Sequence, residues 1–339
     1  MTLREMGERR LLREIIPAYC SHAGDDCASL SVDRGEVIVT TDPVPPPAAR
    51  VLGGDSDPYW MGWLLVVINV SDLAAAGALP VGFLSAIEAE PTMPLEDFQR
   101  FLAGIRDACR SEGVAYVGGN IREAPALSAV GTAVGTARSG DSLRRGGAKP
   151  GDRLISVGGG GIFWRDALRV IRGGGLPEDK MRSPLFAPRT QARTMHKLAE
   201  ERAIHAAIDN SDGLLPSIQQ MASASGVRIS VDLTSLSVNG CLDLKVDQAR
   251  LWLGWGDWNV LAAAEPSRLG DVFKIGDCDS VDIRVIGKVD EGEPSVFLQR
   301  GQEEIVAPRL ESERFASDSW FGSGIDSYVD RLLSVALPK

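Results

Sequence analysis

The chain has 339 residues and a formal charge of −10. Its length predicts two domains, because a single hydrophobic core seldom grows this large. Hydrophobic residues make up 44% and charged residues 24%, an ordinary globular balance that excludes wholesale disorder. No run of Lys and Arg exceeds a pair, and an acidic chain without a basic patch repels phosphate backbones, so no nucleic-acid partner is expected. The longest apolar stretch, near residues 63–70, falls far short of the roughly 20 residues of a spanning helix, so no membrane partner is expected. Residues 1–16 are charged and read as a helix rather than a signal peptide. Cys20, Cys27, Cys109, Cys241 and Cys278 are dispersed without a C-x-x-C, which predicts reduced thiols in a cytoplasm.

In chain order, residues 3–18 show helical spacing of apolar positions, and residues 37–41 (V-I-V-T-T) form a strand that ends at Asp42. Residues 43–47 and 53–58 are rich in Pro and Gly and predict a mobile segment. Helices follow at 59–77 and 94–112, with strands at 80–87, 114–117 and 126–137. The turn at 148–152 is the expected domain boundary. Beyond it, strands are predicted at 154–157, 206–208, 227–231, 281–289 and 294–297, and helices at 193–201 and 214–225. The four glycines 158–161 open a further helix. They could cradle a phosphate or form a plain turn, since they fit neither a Walker loop nor G-x-G-x-x-G. The alternation of strands and helices predicts an α/β arrangement.

Aspartates recur where strands or helices end, often beside Gly or Ser. Asp25 and Asp26 follow Gly24, Asp42 follows the first strand, and Asp72 follows Ser71. Asp209, Ser211 and Asp212 lie in D-N-S-D-G-L-L, and Asp257 lies in G-W-G-D-W. Mg²⁺ prefers hard oxygen ligands and keeps waters and phosphate oxygens in its shell. Carboxylates converging from several loops would hold such ions on a triphosphate, and phosphoryl transfer asks for little more than that positioning. Each aspartate taken alone has a simpler reading as a helix cap or turn former. The tryptophans 252, 255 and 258, and the pair 60 and 63, recur at every third position. They predict either core packing or an aromatic wall for a flat heterocycle. His22, just before Gly24, is the histidine placed to approach a site; His196 and His205 read as surface or helix-end residues.

Together these segments resemble the thiamine-monophosphate kinase family, within the wider aminoimidazole ribonucleotide synthetase superfamily. The matching stretches are G-D-D-C-A-S-L at 24–30, V-T-T-D at 39–42, N-V-S-D-L-A-A-A-G-A-L-P at 69–80 and V-G-G-N at 117–120. R-G-G-A-K-P-G-D at 145–152 and A-I-D-N-S-D-G-L-L at 207–215 complete the strong set. G-W-G-D-W-N-V-L at 254–261 and I-G-K-V at 286–289 match more loosely. The resemblance implies a two-domain α/β (α+β) fold of the aminoimidazole ribonucleotide synthetase type. Residues 1–149 would form an ATP- and Mg-binding domain whose strands pair with a second copy into a dimeric barrel. Residues 150–310 would form a C-terminal α/β layer, and 311–339 an extension with a docking helix near 328–337.

It also implies ATP and Mg²⁺ as cofactors and a small-molecule phosphate acceptor. Asp25, Asp26, Asp42, Asp72 and Asp212 would be metal residues, with Asp42, Asp212 and Arg145 catalytic and Arg145 neutralising phosphate charge. Asp72, Gly119, Asn120, Arg145 and Ser211 would bind nucleotide, Thr41 would be a further hydroxyl ligand, and Asp209 would orient its turn. The chain departs from the family where Asn120 replaces an aspartate and where prolines 43–47 replace a His-Phe segment. Gly256 and Asn259 stand where the family has glutamates, and the closing W-D-H-F is only loosely echoed at 318–321. Most of these changes fall in acceptor-facing segments, which points to conserved nucleotide chemistry with a changed acceptor. The alternatives are synthetase-type activation of an amide or carbonyl oxygen, and a nucleotide-binding dimer without catalysis.

Overall fold

A computed structural model describes residues 13–14, 27–33, 35–310 and 323–339. The first-helix expectation at 3–18 lies almost wholly outside the described residues, as do His22, Asp25, Asp26 and residues 318–321. Two sheets organise the rest. The first contains β1 (Ala28–Val32), β2 (Gly35–Pro43), β3 (Leu79–Ala89), β4 (Ala115–Glu123) and β5 (Ser128–Ala137), in the order β1-β2-β5-β3-β4. Only β3 and β4 run parallel. Among the described residues this five-stranded sheet is open rather than closed.

One face of it carries α2 (Pro58–Ala75) and α3 (Leu95–Glu112); a short α1 (Ala48–Val51) precedes them. Asp57 caps α2 by accepting from Tyr59 N, and Pro58 occupies the first turn, where a missing N–H costs nothing. All of α2 except Pro58 and Met61 is buried, so its β-branched run is held helical by packing rather than by propensity. α3 is amphipathic, starts with Glu96 and Asp97 against the helix dipole, and ends at Gly113 in the left-handed region. The two helices cross backbone to backbone. A Cβ on Gly104 would sit 2.0 Å from Tyr59 O, and one on Gly62 would sit 2.1 Å from Phe101 O.

The second sheet is mixed and seven-stranded, in the order β12-β11-β8-β10-β6-β9-β7. Its strands are β6 (Arg153–Val157), β7 (Ile204–Asp209), β8 (Arg228–Asp232), β9 (Val260–Ala264), β10 (Ile283–Asp290), β11 (Ser295–Arg300) and β12 (Glu303–Val306). The helices of this half are α4 (Ile162–Ile171), α5 (Ala192–Glu200), α6 (Leu214–Ser225), α7 (Gln248–Leu253), α8 (Leu269–Asp279) and α9 (Ile325–Ser334). α2 touches both halves, packing on β2 and β5 and also on α5, β7 and β9.

The segment expected to be mobile instead contains α1 and is tied down. Asp55 N donates to Ala49 O (3.0 Å), and the Asp55 carboxylate accepts from Asp57 N and Trp60 Nε1, each at 3.0 Å. Proline content blocked a long helix there but not a short one, because a proline before the first turn suits a helix start. The docking helix expected at 328–337 is α9, displaced toward the N-terminus. It buries Tyr328, Val329 and Leu332, and Arg250 Nη1 donates to Val335 O at its end.

At the seam between the halves, Glu112 ends α3 and is buried, accepting from Thr190 N and Thr190 Oγ1. Burial raises its carboxyl to about 7, against the pull of those hydrogen bonds and of Arg189 and Arg193. A carboxyl raised in the folded state stabilises the fold fully below its ordinary pKa of about 4.5 and loses that contribution as pH climbs to about 7. Glu112→Gln is therefore expected to flatten part of the decline in stability between pH 5 and 7, read as denaturation midpoints against pH. Gly104→Ala is expected to destabilise by about 1–3 kcal/mol, because the helices must separate to admit a methyl group; urea unfolding measures it.

Candidate functional site

A cleft lined by both halves contains about 1020 Å³ of space free of protein atoms, part of it open to solvent. Its lining joins two kinds of side chain. Asp42, Asp72, Asp209, Ser211 and Asp212 are polar. The rest is largely apolar, with prolines 45–47, Val51, Leu64 and Ile68 from the first half and Phe163, Phe186, Trp255 and Trp258 from the second. Among the described residues no Lys, Arg or His lines it, so its ionisable side chains are four aspartates.

Each aspartate reaches the cleft from a separate element end. Asp42 lies in the last turn of β2, where its N–H donates to Asn69 Oδ1 of α2 (3.0 Å). Asn69 Nδ2 in turn donates to Leu65 O (2.9 Å), so a buried amide locks strand to helix. Asp72 is one helical position beyond Ser71, and its Oδ2 accepts from Thr40 Oγ1 at 2.6 Å. Ser71 Oγ donates to Asp209 Oδ2 at 3.0 Å, crossing from the first half to the second. Asp209 ends β7, and its other oxygen accepts from Ser211 Oγ (3.1 Å), which folds the D-N-S-D turn back on itself. Gly213, at φ +102° and with Leu253 O 2.7 Å from a notional Cβ, lets the chain turn from Asp212 into α6. Ser71 and Ser211 thus fix both oxygens of Asp209, and Thr40 fixes one oxygen of Asp72.

Thr41, expected as a ligand, instead turns its hydroxyl to Gly131 O (2.8 Å) and Thr132 Oγ1 (3.0 Å) in the sheet. Arg145 lies outside the cleft lining, with Nη1 donating to Gln220 of α6 at 2.9 Å. The R-G-G-A-K-P-G-D stretch runs along the free edge of β7, where Ala207 N donates to Arg144 O. Its Asp152 closes the turn by accepting from Lys149 N and pairs with His205 Nδ1 at 3.0 Å. Gly119 and Asn120 sit on β4, an exposed edge strand, and also lie outside the cleft of this chain.

The glycine run is a phosphate cradle already filled from within. Gly161 N and Phe163 N donate to Asp257 at 2.5 and 2.9 Å, so a carboxylate occupies the N-terminus of α4. Complete burial pushes Asp257 up to about 7 in spite of those bonds. Asn259, at a family glutamate position, is buried in a neutral network: it accepts from Asn210 Nδ2 (2.9 Å) and donates to Ser156 Oγ (2.6 Å). A carboxylate there would be a second buried charge close to Asp257. The tryptophans divide. Trp252 packs under Gly160 and Gly161, and Trp60 and Trp63 fill the first half, whereas Trp255 and Trp258 face the cleft. Sequence reading missed the wall at residues 184–188, since its Pro-Leu-Phe-Ala-Pro run carries no charged or motif signal.

Comparison with known proteins bears on this arrangement. Residues 24–137 match the family AIR synthase related protein, N-terminal domain, and residues 149–299 match AIR synthase related protein, C-terminal domain. The thiamine-monophosphate kinase of Corynebacterium glutamicum is 32% identical, over 85% of this chain and 87% of its own. That of Halobacterium salinarum is 29% identical over 93% and 99%. The crystal structure of thiamine monophosphate kinase from Aquifex aeolicus shares the fold with a TM-score of 0.71 at 22% identity, over 89% of this chain and 100% of that one. A hydrogenase maturation protein HypE in complex with ATP shares it with a TM-score of 0.67 at 19% identity, over 91% and 96%. With both halves matched and a relative 32% identical along most of its length, this chain belongs to the AIR synthase related proteins and, within them, to the thiamine-monophosphate kinase family.

Proposed function

We propose that this protein transfers the γ-phosphoryl group of ATP to thiamine monophosphate or a close relative of it, giving ADP and a diphosphate ester. The observation that carries the reading is the cleft lining, four aspartates from the ends of elements together with apolar and aromatic side chains. A related structure, AaThiL complexed with AMPPCP and TMP, has a TM-score of 0.75 to this chain at 24% identity, so a protein of this fold holds both ligands.

The donor set suits Mg²⁺. Among the described residues no three His, Cys, Asp or Glu side chains are close enough to hold a metal by themselves. Mg²⁺ is ordinarily held by one or two carboxylates, with phosphate oxygens and waters completing its shell. Asp42, Asp72 and Asp212 would supply those carboxylates, one or two to an ion, with Asp209 orienting the turn through Ser71 and Ser211. Bound there, the ion supplies charge neutralisation for two substrates that both carry phosphate. The chain's own contribution is alignment. Thr40 and Ser71 fix carboxylate oxygens, while Phe163, Trp255 and Trp258 offer flat apolar contact to a ring and exclude water around the transferring group.

Asp25 and Asp26 remain assigned to metal by the family resemblance alone. We retain the division at 149/150, with 311–339 as an extension, because each half is built on its own sheet. A cytoplasmic setting is supported by the free thiols Cys109, Cys241 and Cys278. A second copy of the chain is the proposed partner of the first sheet. The sheet's open side exposes Leu79, Val81, Leu84, Val117 and Val130, a contiguous apolar set of the kind that marks an interaction surface. Gly119 and Asn120 belong to that same region, so their proposed nucleotide contacts, and that of Arg145, would require the assembled pair.

The kinase reading is tested by chromatography of purified protein with Mg²⁺-ATP and thiamine monophosphate: thiamine diphosphate must appear in step with ADP. Clear Mg²⁺-ATP binding without that product would move the acceptor to another phosphate ester. Asp72→Asn is expected to lower turnover at least about 100-fold while the melting temperature stays within a few degrees, since Thr40 can still donate to the amide oxygen. In analytical ultracentrifugation the wild type is expected to sediment as a dimer, and Val81→Asp with Leu84→Asp as a monomer.

A further inference from the structure

Residues 176–191 join α4 to α5 and cross from the second half onto the first. Three anchors mark the crossing. Ser183 Oγ donates to Asp166 Oδ2 of α4 (2.6 Å), Trp63 Nε1 of α2 donates to Pro188 O (2.8 Å), and Thr190 holds Glu112 of α3. Pro184, Leu185, Phe186 and Pro188 of this crossing form one wall of the cleft. Residues 45–48 and Val51 form another.

A single ion pair ties the two walls together. Lys180 Nζ lies 2.7 Å from Asp55 Oδ2, with the lysine about one-third exposed and the aspartate mostly buried. The same carboxylate accepts from Trp60 Nε1, and Asp55 N donates to Ala49 O in α1. Lys180 Nζ also stands 5.1 Å from the centre of the Phe186 ring, and that ring packs edge-on against Trp60 at 5.2 Å. Phe186 is itself a cleft residue and almost fully buried. Opposite, a Cβ on Gly53 would lie 3.0 Å from the tip of Phe186, so the loop is fitted closely to the ring. Burial acts to raise the Asp55 carboxyl, but Lys180 and the N–H donors outweigh it and hold the group below its ordinary value, so Asp55 is a carboxylate at neutral pH.

We propose that the Lys180–Asp55 pair is a positioning element for the phosphoryl acceptor: by holding Phe186 against Trp60 and Gly53 it sets the width of the cleft at that ring. Neither residue lines the cleft, so both act through Phe186 and α1. The inference rests on the kinase reading for its kinetic test, and on the structure alone for its spectroscopic one.

With Mg²⁺-ATP and thiamine monophosphate, Lys180→Met is expected to raise KM for the acceptor about fivefold, with kcat and KM for ATP within about twofold. Lys180→Arg, which keeps the charge, is expected to stay near wild type. Adding Lys180→Met to Asp55→Asn is expected to cost little more than either change alone, because both remove one interaction. A parallel rise in both KM values, a fall in kcat alone, or full additivity would overturn the proposal. Acrylamide quenching of tryptophan fluorescence reads the pair without turnover. Lys180→Met is expected to increase quenching, Lys180→Arg to leave it unchanged, and the increase is expected to vanish in a Trp60→Phe background. Unaltered quenching in Lys180→Met would sink the positioning role. If wild type makes no thiamine diphosphate yet quenching responds as expected, the kinase reading fails and the positioning of the wall stands.

Discussion

The burial of α2 is the constraint on which the rest of the structure depends. A helix buried nearly all round must be apolar nearly all round, and Pro58–Ala75 is, except at Asn69, Ser71 and Asp72. Polar groups in such a place are costly unless each finds a partner. Asn69 finds the backbone of β2, Ser71 finds Asp209 across the seam, and Thr40 finds Asp72. Satisfying those groups is what draws the end of β2, the end of α2 and the end of β7 to one place. The acidic lining of the cleft is thus a consequence of how the central helix is satisfied.

The same economy explains which carboxylates do not serve the cleft. Asp257 is spent on the backbone amides that open α4, Asp152 on its own turn and His205, and Glu112 on Thr190 at the seam. A carboxylate that accepts from backbone N–H groups in a buried place is an anchor, whatever motif surrounds it. The four aspartates of the cleft differ in lining open volume. That distinction separates the anchoring from the site-forming acids here better than their positions at strand ends do.

The aromatic wall is likewise a matter of packing around a few fixed rings. Trp164 Nε1 donates to Trp255 O at 2.8 Å, and Phe163 and Tyr328 pack around Trp255 at 4.9 and 6.3 Å. A ring supported on several sides presents a firm face to a ligand, at little entropic cost on binding. Tyr328 comes from α9, beyond the stretch matched by the C-terminal family domain, so the end of the chain supports the cleft from behind.

Much of this was legible in the sequence and some was not. Long periodic elements were: the helices at 59–77 and 94–112 and the strands at 80–87 and 126–137 lie within a few residues of α2, α3, β3 and β5, because burial period and caps are local signals. Asp42, Asp72, Asp209 and Asp212 were legible as a group because their motifs end elements. The short pieces α1, α7, β9 and β12 and the helix α8 were not read, since tertiary packing rather than periodicity holds most of them. Whether a glycine run binds a ligand or its own Asp257 depends on residues nearly a hundred positions apart, as does the placing of Arg145 against α6 rather than in the cleft. The sequence by itself determined the elements, the family and the acidic residue types, for these follow from local pattern and chemistry. Only the tertiary structure decided which acids share a cleft, which are consumed as anchors and which aromatics face a ligand, because those outcomes depend on distances between segments that no local pattern encodes.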